Sequence, residues 1–330
     1  MKRIIFTLFF VISLLFLSSA YSQEISKDLS FAFDIGTSSV TGNNTYDFNY
    51  DEINSVLGEI NSRSILEWDI DNYMLDLGMQ AGYMNQYFFQ FEYSTSVSEG
   101  TVSMRDRDWL KNDIINYFYV PLMSDTTSDV ESNANIYDLR FMWRIPRLMN
   151  FDNLRVRLSV GYLKQKWDGY KAMNVVGFQR GLLTSDGSLV NFDLTSETPY
   201  VTYEVEHKIP YFGIGFDFDP NEKLNVSLGV DLSSMAQTKD KDDHAARGKI
   251  TETDAEGSFI SFKGEASWNF YKNMMLALTF ESITIKTEGE QTQTWYKNEG
   301  LTPAGTVLTV KNNEISSDQT YVGLKFRCLF

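Results

Sequence analysis

The chain has 330 residues, of which 29 are basic and 44 acidic, and its net charge of -15 argues against nucleic acid as a partner and fits a cationic one better. One cysteine, Cys328, excludes an intrachain disulfide and a cysteine-based zinc site, and the presence of only two histidines argues against a histidine-rich metal site. An apolar fraction of 43% and a mean hydropathy of -0.26 exclude a disordered chain and a helical membrane bundle, and leave 18 Tyr and 24 Phe to be explained.

The N-terminus has the organisation of a secretory signal peptide. Basic residues precede an apolar run over 4–17, and small residues before Gln23 provide a cleavage site. A transmembrane anchor is the alternative, but the run is shorter than the about 20 residues that a membrane span needs. The sequence therefore predicts a signal peptide over 1–22 and a single domain over 23–330, since no Pro/Gly-rich linker divides the remainder.

From residue 27 onward the dominant hydrophobic period is two, which is the period of a β-strand. In each stretch the residues of one parity are apolar, and those of the other parity are mostly polar or charged. The clearest stretches lie at 137–145, 154–162, 260–270, 276–281 and 321–330. A soluble sandwich and a transmembrane barrel both show this alternation, so the alternation by itself leaves the two open.

The connections between these strands alternate between short and long. Short turns are predicted near 84–86, 146–153, 219–223 and 271–273, and long polar segments at 37–63, 104–134, 168–198, 236–256 and 288–313. Ten strands joined by four short turns and five long loops fit an outer-membrane barrel with both termini in the periplasm. The sequence therefore predicts an all-β fold, a ten-stranded antiparallel transmembrane β-barrel with long extracellular loops and short periplasmic turns. Aromatic side chains facing lipid would account for the Tyr and Phe content.

The opposite parity places charged side chains inside the predicted barrel. They are Arg140, Arg144, Arg155, Arg157, Lys263, Lys325 and Arg327 together with Asp34, Asp76, Asp138, Glu265 and Glu281. A ten-stranded barrel has a narrow lumen, so we expect these charges to pair with one another and to fill it. This expectation disfavours a small-solute channel.

Two acidic clusters fall at the same end of the predicted barrel, where long loops begin. In the first, Asp106 and Asp108 point towards the mouth by parity, and their mutual repulsion tends to raise one pKa. The second contains Asp240, Asp242 and His244, and an aspartate two positions from a histidine can orient the imidazole as a general base. Parity on the preceding strand turns this second cluster outward, so a bulge or twist is needed to bring it inward. Taken singly, either cluster also fits a solvated, charged loop.

Together the two clusters indicate more than either does alone. They lie four strands apart in a predicted ring of ten, so they face each other nearly across the mouth. A water held between them could be deprotonated by His244 while the carboxylates orient it. No nucleophilic serine or cysteine is required, and the position of Cys328 on the lipid face of the last strand excludes a cysteine protease.

These residues carry a family resemblance. The sequence resembles the omptins, outer-membrane endopeptidases of Gram-negative bacteria that are built as ten-stranded barrels. The matching stretches are Ile35–Thr37, Ser64–Trp68, Asp106–Trp109, Gly161–Tyr162, Ile209–Gly213, Asp240–His244 and Gly323–Phe326. Their order and spacing extend over nearly the whole chain that follows the predicted signal peptide.

The resemblance implies roles for individual residues. The implied catalytic group is Asp106, Asp108, Asp242 and His244. Asp240 would line an acidic pocket for a basic substrate residue, and the family's second acid in that pocket falls at Tyr46 or Asp47. Asp125 would match the acid that receives the basic residue after the scissile bond. Lipopolysaccharide would be a required activator, held on the outer wall by Tyr162, Lys164, Lys166 and Lys208, although Glu206 stands where the family has an arginine and Lys164 where it has an acid.

The sequence thus predicts an omptin-like, aspartic-type endopeptidase in the outer membrane of a Gram-negative bacterium, with its active site facing the cell exterior. The expected substrates are cationic peptides or proteins, cleaved next to basic residues without a metal or other cofactor, and with lipopolysaccharide as the activator. The alternatives are a catalytically inactive barrel that acts as a surface adhesin, and the small-solute channel.

Overall fold

Alternating residues form strands throughout the part of the chain that the structure describes. This computed structural model describes residues 28–55, 58–97, 100–112, 120–145, 153–180, 189–299 and 302–330, so the predicted signal peptide lies outside the described residues. No helix in these ranges is long and apolar enough to cross a membrane. The strands are β1 (Leu29–Ser55), β2 (Gly58–Tyr83), β3 (Tyr87–Ser96), β4 (Gly100–Asn112), β5 (Val120–Ile145), β6 (Leu154–Ala172), β7 (Asn174–Arg180), β8 (Leu189–Thr195), β9 (Val201–Asn221), β10 (Leu224–His244), β11 (Lys249–Tyr271), β12 (Met274–Trp295) and β13 (Val307–Leu329).

Antiparallel pairing closes these strands into a ring. The order around the ring is β2, β1, β13, β12, β11, β10, β9, β6 and β5. The tenth position between β2 and β5 is shared by β3 and β4, which both pair with β2 and β5. The hairpin of β7 and β8 extends from β5 through β7. The predicted ten-stranded antiparallel barrel is therefore confirmed.

The two ends of the barrel differ in the way their strands are connected. At one end, tight turns at 84–86, 222–223 and 272–273 join consecutive strands, as predicted, and Met84, Asn85 and Lys272 adopt positive φ there. Most of the predicted turn at 146–153 lies outside the described residues. At the other end, the polar segments are largely strand, and β10 and β11 are joined by a turn over 245–248. At this end the barrel wall is therefore built from strands that are largely polar.

The outer face carries an apolar belt near the end with the tight turns. Exposed members of this belt are Phe31, Phe89, Phe141, Phe212, Phe216, Leu228, Phe262, Leu278, Phe280, Val322 and Leu324. Aromatic residues flank it: Tyr83, Tyr87, Trp143, Trp268 and Tyr271 lie towards the tight turns, and Tyr73, Tyr137 and Tyr162 lie on the opposite side. Such a belt with aromatic borders is typical of an outer-membrane barrel, and it accounts for the aromatic content.

Paired charges cross the interior behind the belt, as the sequence predicts. Arg140 contacts Asp231 at 2.9 Å, and Lys263 contacts the same carboxylate at 3.1 Å. Arg327 contacts Asp34 and Glu265, each at 2.8 Å. A cavity of about 220 Å³ lies among these groups. The predicted pairing of the lumen charges is therefore observed, and the ion pairs leave this cavity between them.

Candidate active site

A β-bulge in β10 turns the second acidic cluster into the barrel. Before it, Leu228 and Leu232 are 59% and 50% exposed on the outer face. The register between β10 and β11 shifts between Ser233 and Ala236, and beyond the shift Asp240 and Asp242 are buried. One extra residue in a strand reverses which parity faces inward. The bulge that the sequence requires is therefore present.

The His244–Asp242 pair lies at the end of β10, beyond the apolar belt. His244 Nε2 lies 2.6 Å from Asp242 Oδ2, and the two side chains are 15% and 7% exposed. The chain then reverses tightly: the backbone N–H of Arg247 donates to the carbonyl of His244 at 2.9 Å, and Gly248 adopts a φ of 65°. A Cβ at Gly248 would come within 2.4 Å of Lys297, so glycine is required where this turn packs against the β12–β13 connection.

Asp106 and Asp108 lie on the same face of β4, as predicted. The hydroxyl of Ser124 donates to Asp108 Oδ2 at 2.6 Å, and that of Ser64 lies 3.5 Å from Asp106 Oδ1. Burial, followed by the negative charges of Asp108 and Asp242, raises the pKa of Asp106 well above its ordinary value. Asp242 is on β10 and Asp106 is on β4, so this effect of Asp242 on the pKa of Asp106 indicates that the two acidic clusters interact at the mouth.

Asp240 precedes Asp242 on β10, so it lies on the inner wall closer to the apolar belt, and it is 6% exposed. Its carboxylate accepts a hydrogen bond from the Tyr203 hydroxyl at 3.2 Å and one from the backbone N–H of Thr253 at 2.9 Å. Trp68 stacks on Tyr203 with ring centroids 3.8 Å apart. Burial is the main cause that raises the pKa of Asp240 to about 7. The inner wall therefore presents a carboxylate whose charge changes near neutral pH.

The structure places the other two predicted substrate-binding acids outside this pocket. Asp47 forms an ion pair with the exposed Arg63 at 2.5 Å, whereas its neighbour Tyr46 is buried and contacts Gln291. Asp125 forms an ion pair with the exposed Arg105 at 2.7 Å. Both aspartates have the parity of the outer face. This orientation speaks against the substrate-binding roles expected for Asp47 and Asp125, because a role inside the mouth requires the opposite parity.

Lys249 is a charged residue of this site that the sequence analysis did not single out. It is 3% exposed at the start of β11, directly opposite His244 in the β10–β11 pairing. Burial and the charge of Arg247 lower its pKa to about 8, against the opposing effect of nearby acids. The parity of Lys263 and Glu265, which were predicted to face inward, extends along β11 to Lys249. That signal would have identified it.

The four residues expected to hold lipopolysaccharide lie on the outer wall. Tyr162, Lys164, Lys166 and Lys208 are all partly or fully exposed there. Glu206 lies between two of the lysines, 2.8 Å from Lys164 and 2.7 Å from Lys208. Lys166 contacts the neighbouring Glu204 at 3.0 Å. The outward parity is as predicted, and each of these lysines has an acidic neighbour.

The mouth is rich in carboxylates, which are common ligands of metal ions. Among the residues that the structure describes, no group of three or more His, Cys, Asp or Glu side chains is arranged to hold a metal ion. The acidic residues of the mouth instead contact hydroxyls, a backbone amide and His244.

Comparisons with known proteins agree with this architecture. A family model described as the Omptin family matches residues 32–328. A comparison with curated proteins found no significant match. Among solved structures, the outer membrane protease OmpT from Escherichia coli superposes with a TM-score of 0.76 at 15% identity, covering 91% of this chain and 97% of that one. The outer membrane protein OprG from Pseudomonas aeruginosa gives a TM-score of 0.38 at 7% identity, covering 92% of this chain and 97% of that one.

Proposed function

The chain belongs to the omptin family of Gram-negative outer-membrane proteases, and we propose that it is an aspartic-type endopeptidase that cleaves exposed peptides next to basic residues. The proposed catalytic group is Asp106, Asp108, Asp242 and His244. The observation that carries the proposal is their convergence: the His244–Asp242 pair and the Asp106–Asp108 pair come from different strands and act on one another at the same mouth.

The histidine is placed to act as a general base. Asp242 accepts a hydrogen bond from His244 Nε2–H, which leaves the lone pair of Nδ1 to take the proton of a water molecule. The second oxygen of Asp242 is buried and has no hydrogen-bond partner among the described residues. Asp242 therefore fixes the ring and stabilises the imidazolium that forms when His244 takes a proton.

The facing carboxyl pair would hold the other side of the water. Two close carboxyl groups favour a state in which one of them keeps a proton, and the raised pKa of Asp106 supports this. The water oxygen attacks the scissile carbonyl carbon, its proton passes to His244, and the carbonyl electrons move to oxygen. When the tetrahedral intermediate collapses, the C–N bond breaks and the leaving nitrogen takes the proton from His244. The products are a carboxylic acid, ionised at neutral pH, and an amine.

The preference for basic residues rests on Asp240. Its buried carboxylate lies on the inner wall near the catalytic group, and its charge acts on the neighbouring Tyr203. Tyr46 and Trp68 are also buried on the inner wall, and aromatic faces attract cations. A substrate side chain that enters here would meet one carboxylate and aromatic surface, which suits lysine or arginine.

Lipopolysaccharide is proposed as an activator that binds to the outer wall. Lys164, Lys166 and Lys208 lie just beyond Tyr162, at the border of the apolar belt where lipid headgroups would begin. Lysine ammonium groups are suited to phosphate oxygens. Glu206 holds two of these ammonium groups close together, so phosphate binding there would compete with an existing ion pair.

Peptide cleavage by refolded protein with lipopolysaccharide tests the proposal. We expect wild type to cut a peptide that contains basic residues, and His244→Ala and Asp106→Ala each to lose nearly all activity. Asp125→Asn is the matched control, because this aspartate faces outward and should leave cleavage unchanged. Activity that survives both alanine substitutions would contradict the catalytic assignment. A folded wild type that binds peptide without cutting it would favour the alternative of a catalytically inactive adhesin.

A further inference from the structure

The mouth holds a buried cation among its acids, and its position is fixed by strand pairing. Lys249 stands opposite His244 in antiparallel register. Residues directly opposite one another in such a pair project from the same face of the sheet, with Cα atoms about 4.5–5.5 Å apart. The side chain of Lys249 therefore enters the mouth beside His244. Its positive charge also acts on Asp106 across the barrel.

The surroundings hold Lys249 without neutralising it. Its Nζ lies 5.8 Å from the centroid of the Trp295 ring. The nearby Glu299 accepts hydrogen bonds from the Trp295 indole at 2.6 Å and from Arg247 at 2.5 Å. In the part of the chain that the structure describes, no carboxylate oxygen lies within 4.0 Å of Lys249 Nζ. An unpaired ammonium that is 3% exposed is costly to maintain.

The proposed reaction creates the partner that this ammonium lacks. Attack of water on the scissile carbonyl places a negative charge on oxygen, in a site whose carboxylates repel that charge. A preorganised cation in a water-poor site stabilises such an oxyanion. Arg247, the other cation that acts on Asp106, is exposed and contacts Glu299. Lys249 is the buried one of the two.

We propose that Lys249 is a catalytic residue of the peptidase reaction, whose Nζ–H group donates a hydrogen bond to the oxyanion of the tetrahedral intermediate. This inference rests on the proposed function and adds a group to the same site. Lys249 keeps its proton throughout, so the proton from the attacking water still travels through His244 to the leaving nitrogen. The interaction forms only as charge develops, so it should act on kcat rather than on KM.

The opposing interpretation is that Lys249 competes with the substrate. A resident ammonium among acids could occupy the place of a basic substrate side chain, and removing it would then tighten binding. The two interpretations predict opposite changes in kinetic constants: loss of an oxyanion donor lowers kcat, whereas loss of a competitor lowers KM and leaves kcat unchanged or higher.

Steady-state cleavage of a basic peptide by Lys249→Gln, Lys249→Arg and His244→Ala tests the proposal. Lys241→Gln is the matched control, because Lys241 is an exposed lysine on β10 that contacts Glu252 on the outer face. Far-UV circular dichroism and heat-dependent gel mobility of each variant confirm that the barrel is folded. Lys249→Met, which retains the length of the apolar stem, replaces Lys249→Gln if the latter does not fold.

We expect Lys249→Gln to lower kcat by roughly 10²–10³-fold, the cost of removing one oxyanion donor, with KM nearly unchanged. Lys249→Arg should retain more activity than Lys249→Gln, and Lys241→Gln should match wild type. A folded Lys249→Gln with the kcat of wild type, whatever its KM, overturns the inference while an inactive His244→Ala leaves the proposed function intact. A wild type that cuts nothing, or a fully active His244→Ala, instead overturns the proposed function and the inference with it.

Discussion

Replacing Asp240 by asparagine tests how this barrel would recognise a basic residue. The substitution keeps the size of the side chain and can preserve the contact with Tyr203, but it removes the negative charge. We expect kcat/KM to fall for a peptide with arginine at the recognised position, and to change little for the same peptide with uncharged citrulline there. The ratio of the two constants isolates the charge–charge interaction from every step that both peptides share.

The size of the effect follows from the burial of the carboxylate. Two unit charges about 4 Å apart interact by about 1 kcal/mol in water and by about 4 kcal/mol at the effective dielectric constant of 20 found near protein surfaces. Asp240 is 6% exposed, so the larger value is the closer guide. The arginine-to-citrulline ratio should therefore fall by between roughly fivefold and 10³-fold, with the upper part of that range expected.

The pH dependence of the same ratio provides a second test. Because burial raises the pKa of Asp240 to about 7, its carboxylate is mainly neutral below that pH and mainly anionic above it. The wild-type ratio should rise between about pH 6 and pH 8 and then level off, while Asp240→Asn should show a flat ratio. Titration of the catalytic group affects both peptides alike and cancels from the ratio.

Asp47→Asn serves as the control for this experiment. Asp47 faces outward and contacts Arg63, so its neutralisation should leave the ratio at the wild-type value. A wild-type ratio that is independent of pH, or an Asp240→Asn ratio within about twofold of wild type, would refute the assignment of Asp240. A fall of the ratio in Asp47→Asn would show that the outward orientation of Asp47 is wrong.

Three further predictions concern the His244–Asp242 pair, the lumen and the outer wall. Asp242→Asn should lower kcat by roughly 10³–10⁴-fold because the imidazole loses its orienting acceptor, and steady-state kinetics showing a loss below about tenfold would contradict this. Arg140→Met removes a cation from the buried carboxylates of Asp138 and Asp231 and should lower the free energy of unfolding by about 3–5 kcal/mol. Urea denaturation in micelles measures this loss, and an unchanged midpoint would argue against a stabilising ion-pair network in the lumen. The double variant Lys164→Gln/Lys208→Gln should require more lipopolysaccharide for half-maximal activation, and an unshifted titration would remove these lysines from the proposed binding site.

The sequence was most informative where one face of a strand meets lipid. Around Leu158 and Val160 the apolar and polar parities differ sharply, and the predicted strand lies within β6. The same parity placed Arg140, Lys263 and Arg327 inside, where they form the predicted ion pairs. An apolar outer face and a charged lumen therefore make both the fold and the lumen contacts predictable from alternation.

Beyond the apolar belt the outer face of the barrel meets water, so both faces of a strand can be polar. Alternation of apolar and polar residues therefore no longer identifies strands there. The segments at 236–256 and 288–313 were predicted as long polar loops, yet most of each is strand in β10 to β13. The short strands β7 and β8 were not anticipated for the same reason. In these regions hydrogen bonding to neighbouring strands, which the sequence does not display, maintains the wall.

In the candidate site, too, some features could be predicted from the sequence and others could not. The need for a bulge before Asp240 could be deduced, because the parity of Leu228 conflicts with an inward aspartate, and the register shift at Ser233 resolves that conflict. The orientation of Asp47 could not be deduced from a local alignment, since a shift of one residue reverses the face. The inward orientation of Lys249 could have been deduced, because it has the same parity as Lys263 and Glu265 on β11.

Mapping of cleavage sites in a mixed peptide library, with wild type and His244→Ala compared under the same conditions, tests whether the protein hydrolyses peptide bonds next to basic residues. Mass spectrometry of the products would report both whether peptide bonds are hydrolysed and which residues flank them. The proposed function predicts cuts next to lysine or arginine by wild type and an intact library with folded His244→Ala. Equal cleavage by the two proteins, or wild-type cuts with no basic residue beside them, would contradict it.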